Sequence, residues 1–321
     1  MKKIKKRIIP PILCLLICAI LLPMQAAAEN SINLNEKCSL CISFVPNGIK
    51  ADDVEFKLYR VADISSLNHF ELTDNFNSYP LIINDENQDT WRDLATTLSG
   101  FVYADNLNPD YVGRTDNGEA IFKNVDAGLY LVIGASCTIG DRVYIPQSFI
   151  ISLPNNFVNN QYDYNVYTDA KYDSYSKDDK CSMKVLKVWK DNDSSFRSEK
   201  VVVELYKESK LYDTVILSKD NNWRYEWKEL DEGAVWTVKE KTVCDGYTVD
   251  VARQSNCFVV TNTSNRENDT ENPTKPSNLT GNSSTLPQTG LLWWPVPILI
   301  CSGLLLFIIG YVRRSGDVYE K

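Results

Sequence analysis

Histidine and methionine are nearly absent from this sequence, which has 1 His and 3 Met among 321 residues. The single histidine, His69, lies in a polar stretch where no Cys/His or Ser/His/Asp arrangement can be assembled around it. One imidazole and one Cys-x-x-Cys pair, Cys38 and Cys41, do not supply a zinc ligand set. We therefore expect no metal and no cofactor. Paired carboxylates keep an extracellular enzyme open as the least favoured function.

Positive charge is also in short supply. The chain has 34 Lys+Arg against 42 Asp+Glu, a net charge of -8. Eight of the basic residues lie near the two ends, so residues 29–289 hold 26 basic and 40 acidic residues. This acidic balance argues against nucleic acid, or any other polyanion, as an electrostatic partner.

Few cysteines are available to the folded part of the chain. Of the 9 in the sequence, Cys14, Cys18 and Cys301 lie in apolar terminal runs. The remaining six are Cys38, Cys41, Cys137, Cys181, Cys244 and Cys257. Their pairing is not fixed by the sequence. The first pair to consider is Cys244 with Cys257, because the two flank a predicted hairpin.

Both ends of the chain have the composition of targeting segments. Residues 2–7 carry five basic side chains, residues 8–22 are mostly apolar, and small residues at 26–28 suit a signal peptidase. We expect residues 1–28 to be a secretory signal peptide. Residues 291–312 are almost entirely apolar and long enough to cross a bilayer core of about 30 Å. We expect them to form a transmembrane helix before a cytoplasmic tail, 313–321.

Residues 30–171 read as a first β domain. Alternating segments at 39–45, 54–61, 120–125 and 129–133, separated by Asn-Gly and Asp-Ala-Gly turns, predict strands and hairpins. One helix is predicted from Thr90 to about Val102, capped by Asp89 or Thr90.

A second, shorter β domain is predicted at 181–263, after a polar linker at 172–180. The segment VELYK at 203–207 echoes FKLYR at 56–60, which suggests two tandem copies of one β-sandwich. The helix would then lie in an insertion in the first copy. The predicted fold class is all-β, with two immunoglobulin-like sandwiches. Residues 264–285 are polar, without apolar periodicity, and are expected to be a disordered spacer.

A short motif stands just before the apolar C-terminal run. It consists of Leu286, Pro287, Gln288, Thr289 and Gly290. Followed by an apolar span and basic residues, it resembles the cell-wall sorting signal of Gram-positive surface proteins. The resemblance implies that a sortase cleaves after the threonine and joins its acyl group to peptidoglycan, which makes the protein secreted and wall-anchored. The alternative is a plain C-terminal membrane anchor.

The second domain resembles a collagen-adhesin B-type (Cna B-type) domain. The matching segments are KVLKVWKD at 184–191, NNWRYEW at 221–227, WTVKE at 236–240, DGYTV at 245–249 and FVVTNT at 258–263. The first domain resembles the N-terminal domain of Gram-positive pilins. The Cna B-type resemblance implies an autocatalytic isopeptide bond between Lys187 and Asn262, assisted by Glu240. It would form once per molecule, so no enzymatic turnover is expected.

Strand alternation tests whether these three residues can meet. Lys187 shares a face with Val185 and Trp189, and the same count places Glu240 and Asn262 with apolar neighbours, so all three are predicted to point inward. Lys184 would face outward and is the less suitable donor. The opposing interpretation is that the three are ordinary solvated strand residues.

Two functions within the surface-protein class stay open. In the first, the chain is a pilus-type subunit, basal or not, joined to other pilin subunits through Lys171. In the second, it is a singly anchored adhesin that binds a host or cell-surface ligand through its first domain. The spacer's 22 residues reach at most about 75 Å when fully extended, so a lone copy would stand close to the wall.

Overall fold

Alternation of apolar and polar residues is the dominant pattern of the described chain, and it is realised as strands. The structure, a computed structural model, describes residues 31–83, 87–157 and 161–266. In the strand Lys180–Lys190, side chains alternate between exposed and buried from Lys180 to Lys187. The described chain is all-β apart from a single α-helix and three short 3-10 turns, as predicted.

Strands β1 to β13 lie between residues 38 and 176. They are β1 (Cys38–Ser43), β2 (Glu55–Ile64), β3 (Phe70–Leu72), β4 (Tyr111–Arg114), β5 (Glu119–Val125), β6 (Gly128–Gly134), β7 (Cys137–Ile139), β8 (Arg142–Pro146), β9 (Phe149–Leu153), β10 (Asn155–Phe157), β11 (Gln161–Asp163), β12 (Asn165–Asp169) and β13 (Tyr172–Ser176). The helix, α1 (Gln88–Asp105), lies between β3 and β4.

Strands β14 to β20 complete the described chain. They are β14 (Lys180–Lys190), β15 (Lys200–Lys207), β16 (Lys210–Ser218), β17 (Arg224–Asp231), β18 (Trp236–Glu240), β19 (Tyr247–Gln254) and β20 (Cys257–Ser264). Strand β16 was not predicted, because its first half is exposed, Leu211 and Tyr212 included, and its alternation is weak.

Two sheets face each other in the first sandwich. One has the order β12-β1-β5, and the other has the order β3-β2-β6-β9 with β4 also paired to β2. Their facing side chains, among them Leu40, Phe56 and Tyr130, form one core. Strand β6 is buried on both faces, because Leu131 and Ile133 on its other face belong to a second core.

The second sandwich repeats one feature of the first. Its sheets have the orders β17-β14-β20-β19 and β16-β15-β18. The first strand pairs in parallel with the last, β14 with β20, just as β1 pairs in parallel with β12. This shared pairing is what two copies of one fold would produce, since a parallel pair cannot be made by a simple hairpin.

Helix α1 starts earlier than predicted. Its N-cap is Asn87, whose side-chain oxygen accepts hydrogen bonds from the backbone N–H groups of Asp89 (2.9 Å) and Thr90 (3.1 Å). Asp89 is not the cap, and Thr90 serves as the second member of a capping box: its hydroxyl accepts a hydrogen bond of 3.3 Å from the Asn87 backbone N–H. The helix ends where Asn106 adopts the left-handed conformation, which asparagine tolerates well.

The buried face of α1 contacts both sandwiches. Leu94 and Leu98 share one core with Leu131 of the first sandwich and with Val238 and Val251 of the second. All described residues accordingly fall within one compact unit. The domain boundaries 30–171 and 181–263 stay predictions, but the two segments do not have separate cores.

The structure corrects the prediction that residues 172–180 form a linker. Strand β13 lies within 172–180 and pairs antiparallel with β8. Its anchor is Tyr172, whose ring makes edge-on contacts with the rings of Phe44 and Tyr144. The many polar residues of the segment suggested a linker, but those at 173–176 occupy half-buried positions on an edge strand, and only 177–180 are exposed.

Several predicted segments lie outside the described residues. These are the signal peptide 1–28, the spacer 264–285 from residue 267 onward, the motif 286–290, the apolar run 291–312 and the tail 313–321. In the part of the chain that is described, no helix is both long and apolar enough to span a membrane.

Candidate functional site

Lys187 is placed by the alternation of β14. The side chains of Met183, Val185 and Lys187 all point into the second sandwich, and the lysine side chain is completely buried. Beside it runs β20, in a parallel register that pairs Lys187 with Val260 and Trp189 with Asn262. Lysine and asparagine therefore come from neighbouring strands of the same sheet.

Glu240 comes from the opposite sheet. It ends β18, whose inward residues Trp236 and Val238 are buried, and its own side chain has no exposed surface. Relative exposures of 3% for Lys187, 2% for Glu240 and 0% for Asn262 confirm the prediction that all three point inward. Solvation on the surface, the opposing interpretation, is excluded by these values.

The three side chains contact one another. Lys187 Nζ lies 3.3 Å from Glu240 Oε2, and Asn262 Nδ2 donates a hydrogen bond of 3.0 Å to Glu240 Oε1. The lysine also donates to the carbonyl oxygens of Val260 (3.3 Å) and Val188 (3.4 Å). Two buried oxygens accept no hydrogen bond: Glu240 Oε2, whose contact with the lysine is close but poorly directed, and Asn262 Oδ1.

Burial controls the protonation of this pair. It lowers the pKa of Lys187 to about 8, although the nearby Glu240 acts in the opposite direction. It also raises the pKa of Glu240, against the influence of Lys187 and of the hydrogen bond from Asn262. Moving a proton from the Lys187 ammonium to the Glu240 carboxylate therefore costs far less free energy here than in water. The state with a neutral amine and a protonated acid can then be populated.

An aromatic ring packs against the lysine. Its Nζ lies 4.5 Å from the centre of the Trp189 ring, which makes edge-on contacts with Trp223 and Tyr247. Lys184, the alternative donor, is exposed on the outer face and lies 3.9 Å from Glu226. This placement matches the prediction that it faces outward.

The first sandwich has apolar residues at the corresponding strands. Cys38, Leu40 and Ile42 are the buried residues of β1 that face its core, and Val166 is the buried residue of β12. No lysine and no amide occupies a buried position on this strand pair among the described residues. The chemistry of the second sandwich therefore has no counterpart between β1 and β12.

The proposed pilin lysine is exposed. Lys171 lies between β12 and β13, where its backbone carbonyl accepts a hydrogen bond of 2.8 Å from the backbone N–H of Gln147. The side chain is thus accessible to a second molecule. The sorting residues Leu286 to Gly290 lie outside the described residues, so the structure does not test them.

The suggested disulfide is wrong in the structure, where Cys244 and Cys257 are both free thiols. The register of the β19–β20 hairpin gives the reason. Cys257 lies at its closed end, opposite Gln254, whereas Cys244 precedes Tyr247 at the open end. Seven residues of strand separate the two ends, about 23 Å, whereas bridged cysteines need Cα atoms within about 7 Å.

Sequence reasoning missed the surroundings of the site. The contacts of helix α1 with β18 and β19 bring the first segment of the chain close to Glu240 and Asn262, and no local pattern predicts such contacts. His69 is exposed, as expected, and its backbone N–H bonds Ser65 Oγ. No group of three metal-ligating side chains occurs among the residues that the structure covers.

Comparison with known proteins identifies the second sandwich. Residues 183–263 match the family model described as Cna protein B-type domain. A stretch of 110 residues is 36% identical to the collagen adhesin of Staphylococcus aureus, and it covers 31% of this chain and 9% of that protein.

Two solved structures are similar at low identity. A single B repeat unit (B1) of the S. aureus collagen-binding surface protein is 18% identical, covering 72% of this chain and all of its own, with a TM-score of 0.26. The full-length major pilin SpaD from Corynebacterium diphtheriae is 16% identical, covering 73% of this chain and 66% of its own, with a TM-score of 0.28. Scores this low support no inference about function.

Proposed function

We propose that this chain, whose residues 183–263 match the Cna protein B-type domain, is a structural or adhesive protein of a Gram-positive cell surface. In this proposal a sortase joins Thr289 to peptidoglycan, and the second sandwich is closed by an amide bond between Lys187 and Asn262. The observation that supports it best is the contact of these two residues with Glu240 in a fully buried cluster.

The bond would form by one condensation. The neutral amine of Lys187 attacks the side-chain carbonyl carbon Cγ of Asn262, so that the Nζ–Cγ bond forms and the Cγ–Nδ2 bond breaks. Glu240, as the protonated acid, polarises the carbonyl and then carries a proton from the attacking nitrogen to the departing one. Ammonia leaves, and Glu240 ends in the state in which it began.

The position of the amide leaves room for this chemistry. Asn262 presents its nitrogen to Glu240 Oε1, while its oxygen has no partner. A half turn of the carboxamide would exchange the two atoms and bring the oxygen to the acid. A protonated Glu240 could then donate a hydrogen bond to it. The turn breaks the hydrogen bond from Nδ2 to Glu240 Oε1, but a hydrogen bond from the protonated acid to the oxygen replaces it, and no existing hydrogen bond to the oxygen is lost.

Such a bond would suit a protein under load. Strands β14 and β20 are adjacent and parallel, and the chain leaves β20 toward the sorting motif. Tension between the N-terminal side of β14 and the wall would otherwise shear these two strands apart. A covalent link from Lys187 to Asn262 would pass that tension directly, without loading residues 188–261.

Intact-mass measurement of the purified ectodomain tests the proposal. The wild type should be lighter than its sequence by one molecule of ammonia, and the Lys187→Ala variant should have its full calculated mass. Lys184→Ala is the matched control, since it removes an exposed lysine from the same strand, and it should still lose ammonia. A wild type of full mass would overturn the bond.

Two assemblies remain candidates for the anchored protein. The exposed Lys171 supports a pilus-type subunit, because an acceptor amine must be reachable by a second chain. A ladder of SDS-resistant species in wall digests, lost in Lys171→Ala, would select the pilus. A single wall-linked band that the substitution leaves unchanged would select the adhesin, with a host or cell-surface ligand as its partner.

A further inference from the structure

Helix α1 and the segment before it lie against two strand edges next to the buried cluster. Strand β18 is the edge of the sheet β16-β15-β18, and β19 is the edge of the sheet β17-β14-β20-β19. Glu240 belongs to the first of these sheets, whereas Lys187 and Asn262 belong to the second. The spacing of the two sheets at this side of the sandwich therefore sets how closely the acid approaches the other two groups.

The edge of β19 is hydrogen-bonded to the first segment of the chain. The backbone N–H of Val249 donates to the Pro80 carbonyl, and the backbone N–H of Val251 donates to Thr97 Oγ1, both at 2.7 Å. In the adjacent ladder Val249 pairs with Asn262, and Val251 pairs with Val260. The hydrogen-bonded amides of Val249 and Val251 therefore lie opposite Asn262 and Val260. The Val260 carbonyl is one of those that accept a hydrogen bond from Lys187.

The edge strand β18 packs against the backbone of helix α1 and forms an ion pair with it. A Cβ at Gly100 would lie 2.6 Å from the Val238 carbonyl oxygen, so the helix backbone sits against β18 where a side chain could not fit. One residue further on, Lys239 Nζ lies 2.7 and 2.8 Å from the two carboxylate oxygens of Asp105. Glu240 follows immediately in sequence.

We propose that α1 is a positioning element for the condensation of Lys187 with Asn262. Thr97 fixes β19 and Gly100 fixes β18, so one rigid helix sets the distance between the sheet that carries Glu240 and the sheet that carries the reacting pair. This inference rests on the proposed function. It adds that the second sandwich needs the first segment of the chain for efficient reaction, because proximity catalysis is sensitive to displacements of about 1 Å.

The test follows the loss of ammonia over time in full-length ectodomain made by cell-free synthesis. Thr97→Val keeps the shape of the side chain but removes the oxygen that the Val251 amide needs, and we expect the reaction to slow by at least about tenfold. Thr97→Ser keeps the hydroxyl and should restore the rate. Thr96→Val is the matched control, since the Thr96 hydroxyl bonds only within the helix, to Arg92, and its loss should leave the rate unchanged.

Folding and positioning are separated by a second set of variants. The melting temperature of Thr97→Val in a Lys187→Ala background measures its effect on folding alone, and rates are compared well below that temperature. If Thr97→Val does not fold, Asp105→Asn replaces it, because this residue is partly exposed and its substitution removes the ion pair to Lys239 while an amide oxygen is kept to accept the hydrogen bond from the Tyr79 hydroxyl; a severalfold slower reaction is expected.

The possible outcomes decide separately on the two proposals. A wild type that loses no ammonia overturns the proposed bond, whatever the helix variants do. A wild type that reacts, together with folded Thr97→Val and Asp105→Asn variants that react equally fast, overturns only the positioning role of α1. Slower reaction in the folded variants, with recovery in Thr97→Ser, supports it.

Discussion

Replacing Glu240 with alanine should reveal how strongly the cluster depends on its acid. The variant cannot complete the condensation, so it should keep its full mass and lose the cross-link. The loop that the bond closes runs from residue 187 to residue 262. For a loop of that length the chain-entropy estimate of a cross-link is about 4.5 kcal/mol in the free energy of unfolding.

Besides losing the cross-link, the variant loses folding free energy because Lys187 stays buried without its acid. Without Glu240, burial would lower the pKa of Lys187 further, and the amine would be neutral in the folded state at pH 7. Its pKa in the unfolded chain is about 10.4, so keeping it neutral at pH 7 costs between about 4 and 5 kcal/mol. The double variant Lys187→Ala/Glu240→Ala lacks the bond as well but avoids this cost.

The pH dependence distinguishes the two penalties. The lysine has a lowered pKa in the folded state, so the unfolded chain binds the extra proton, and stability rises with pH up to the unfolded pKa. Between pH 7 and pH 9 the single variant should therefore recover about 3 kcal/mol relative to the double variant.

Thermal unfolding followed by circular dichroism gives the readout. At about 2–4 °C per kcal/mol for a chain of this size, the melting temperature of Glu240→Ala should lie roughly 9–18 °C below that of the double variant at pH 7. Glu226→Ala, which removes an exposed acid beside Lys184, is the control and should change little. Equal melting temperatures of the single and double variants at pH 7 would refute the argument.

Two further predictions concern the contact between α1 and β19 and the free thiols. Burial, reinforced by Asp93, raises the pKa of Asp250 to about 6; the folded chain then binds more protons than the unfolded chain between about pH 4 and pH 6. Stability should fall as pH rises through that window, and Asp250→Asn should make the slope less steep in a melting series; an unchanged slope would contradict it. Alkylation before digestion, without reductant, should label Cys244 and Cys257 on separate linear peptides, whereas a disulfide-linked peptide would show that they pair.

Local patterns were enough to predict most of the candidate site. Alternation along β14, β18 and β20 correctly placed Lys187, Glu240 and Asn262 inside, because the period of a strand is two and each segment had clear apolar neighbours. The same reasoning gave the positions of most strands and of the helix. It missed five short strands, β3, β4, β7, β10 and β13, and the longer β16, whose exposed first half hides its periodicity.

Long-range contacts were beyond that reasoning. The sequence predicts helix α1 but does not say that its buried face shares a core with Val238 and Val251 of the second sandwich. The prediction of a disulfide between Cys244 and Cys257 was wrong for a related reason. Two residues that flank a hairpin in the sequence need not lie at the same end of it. The polar segment 172–180 was misread because the partners of Tyr172 lie elsewhere in the chain.

Peptide mapping tests the central claim most directly. Digestion of the wild-type ectodomain with trypsin, followed by tandem mass spectrometry, should give a branched peptide that joins the β14 segment at Lys187 to the β20 segment at Asn262. Its mass should be that of the two peptides less one molecule of ammonia. Recovery of the two segments only as separate linear peptides, with cleavage after Lys187, would contradict the account.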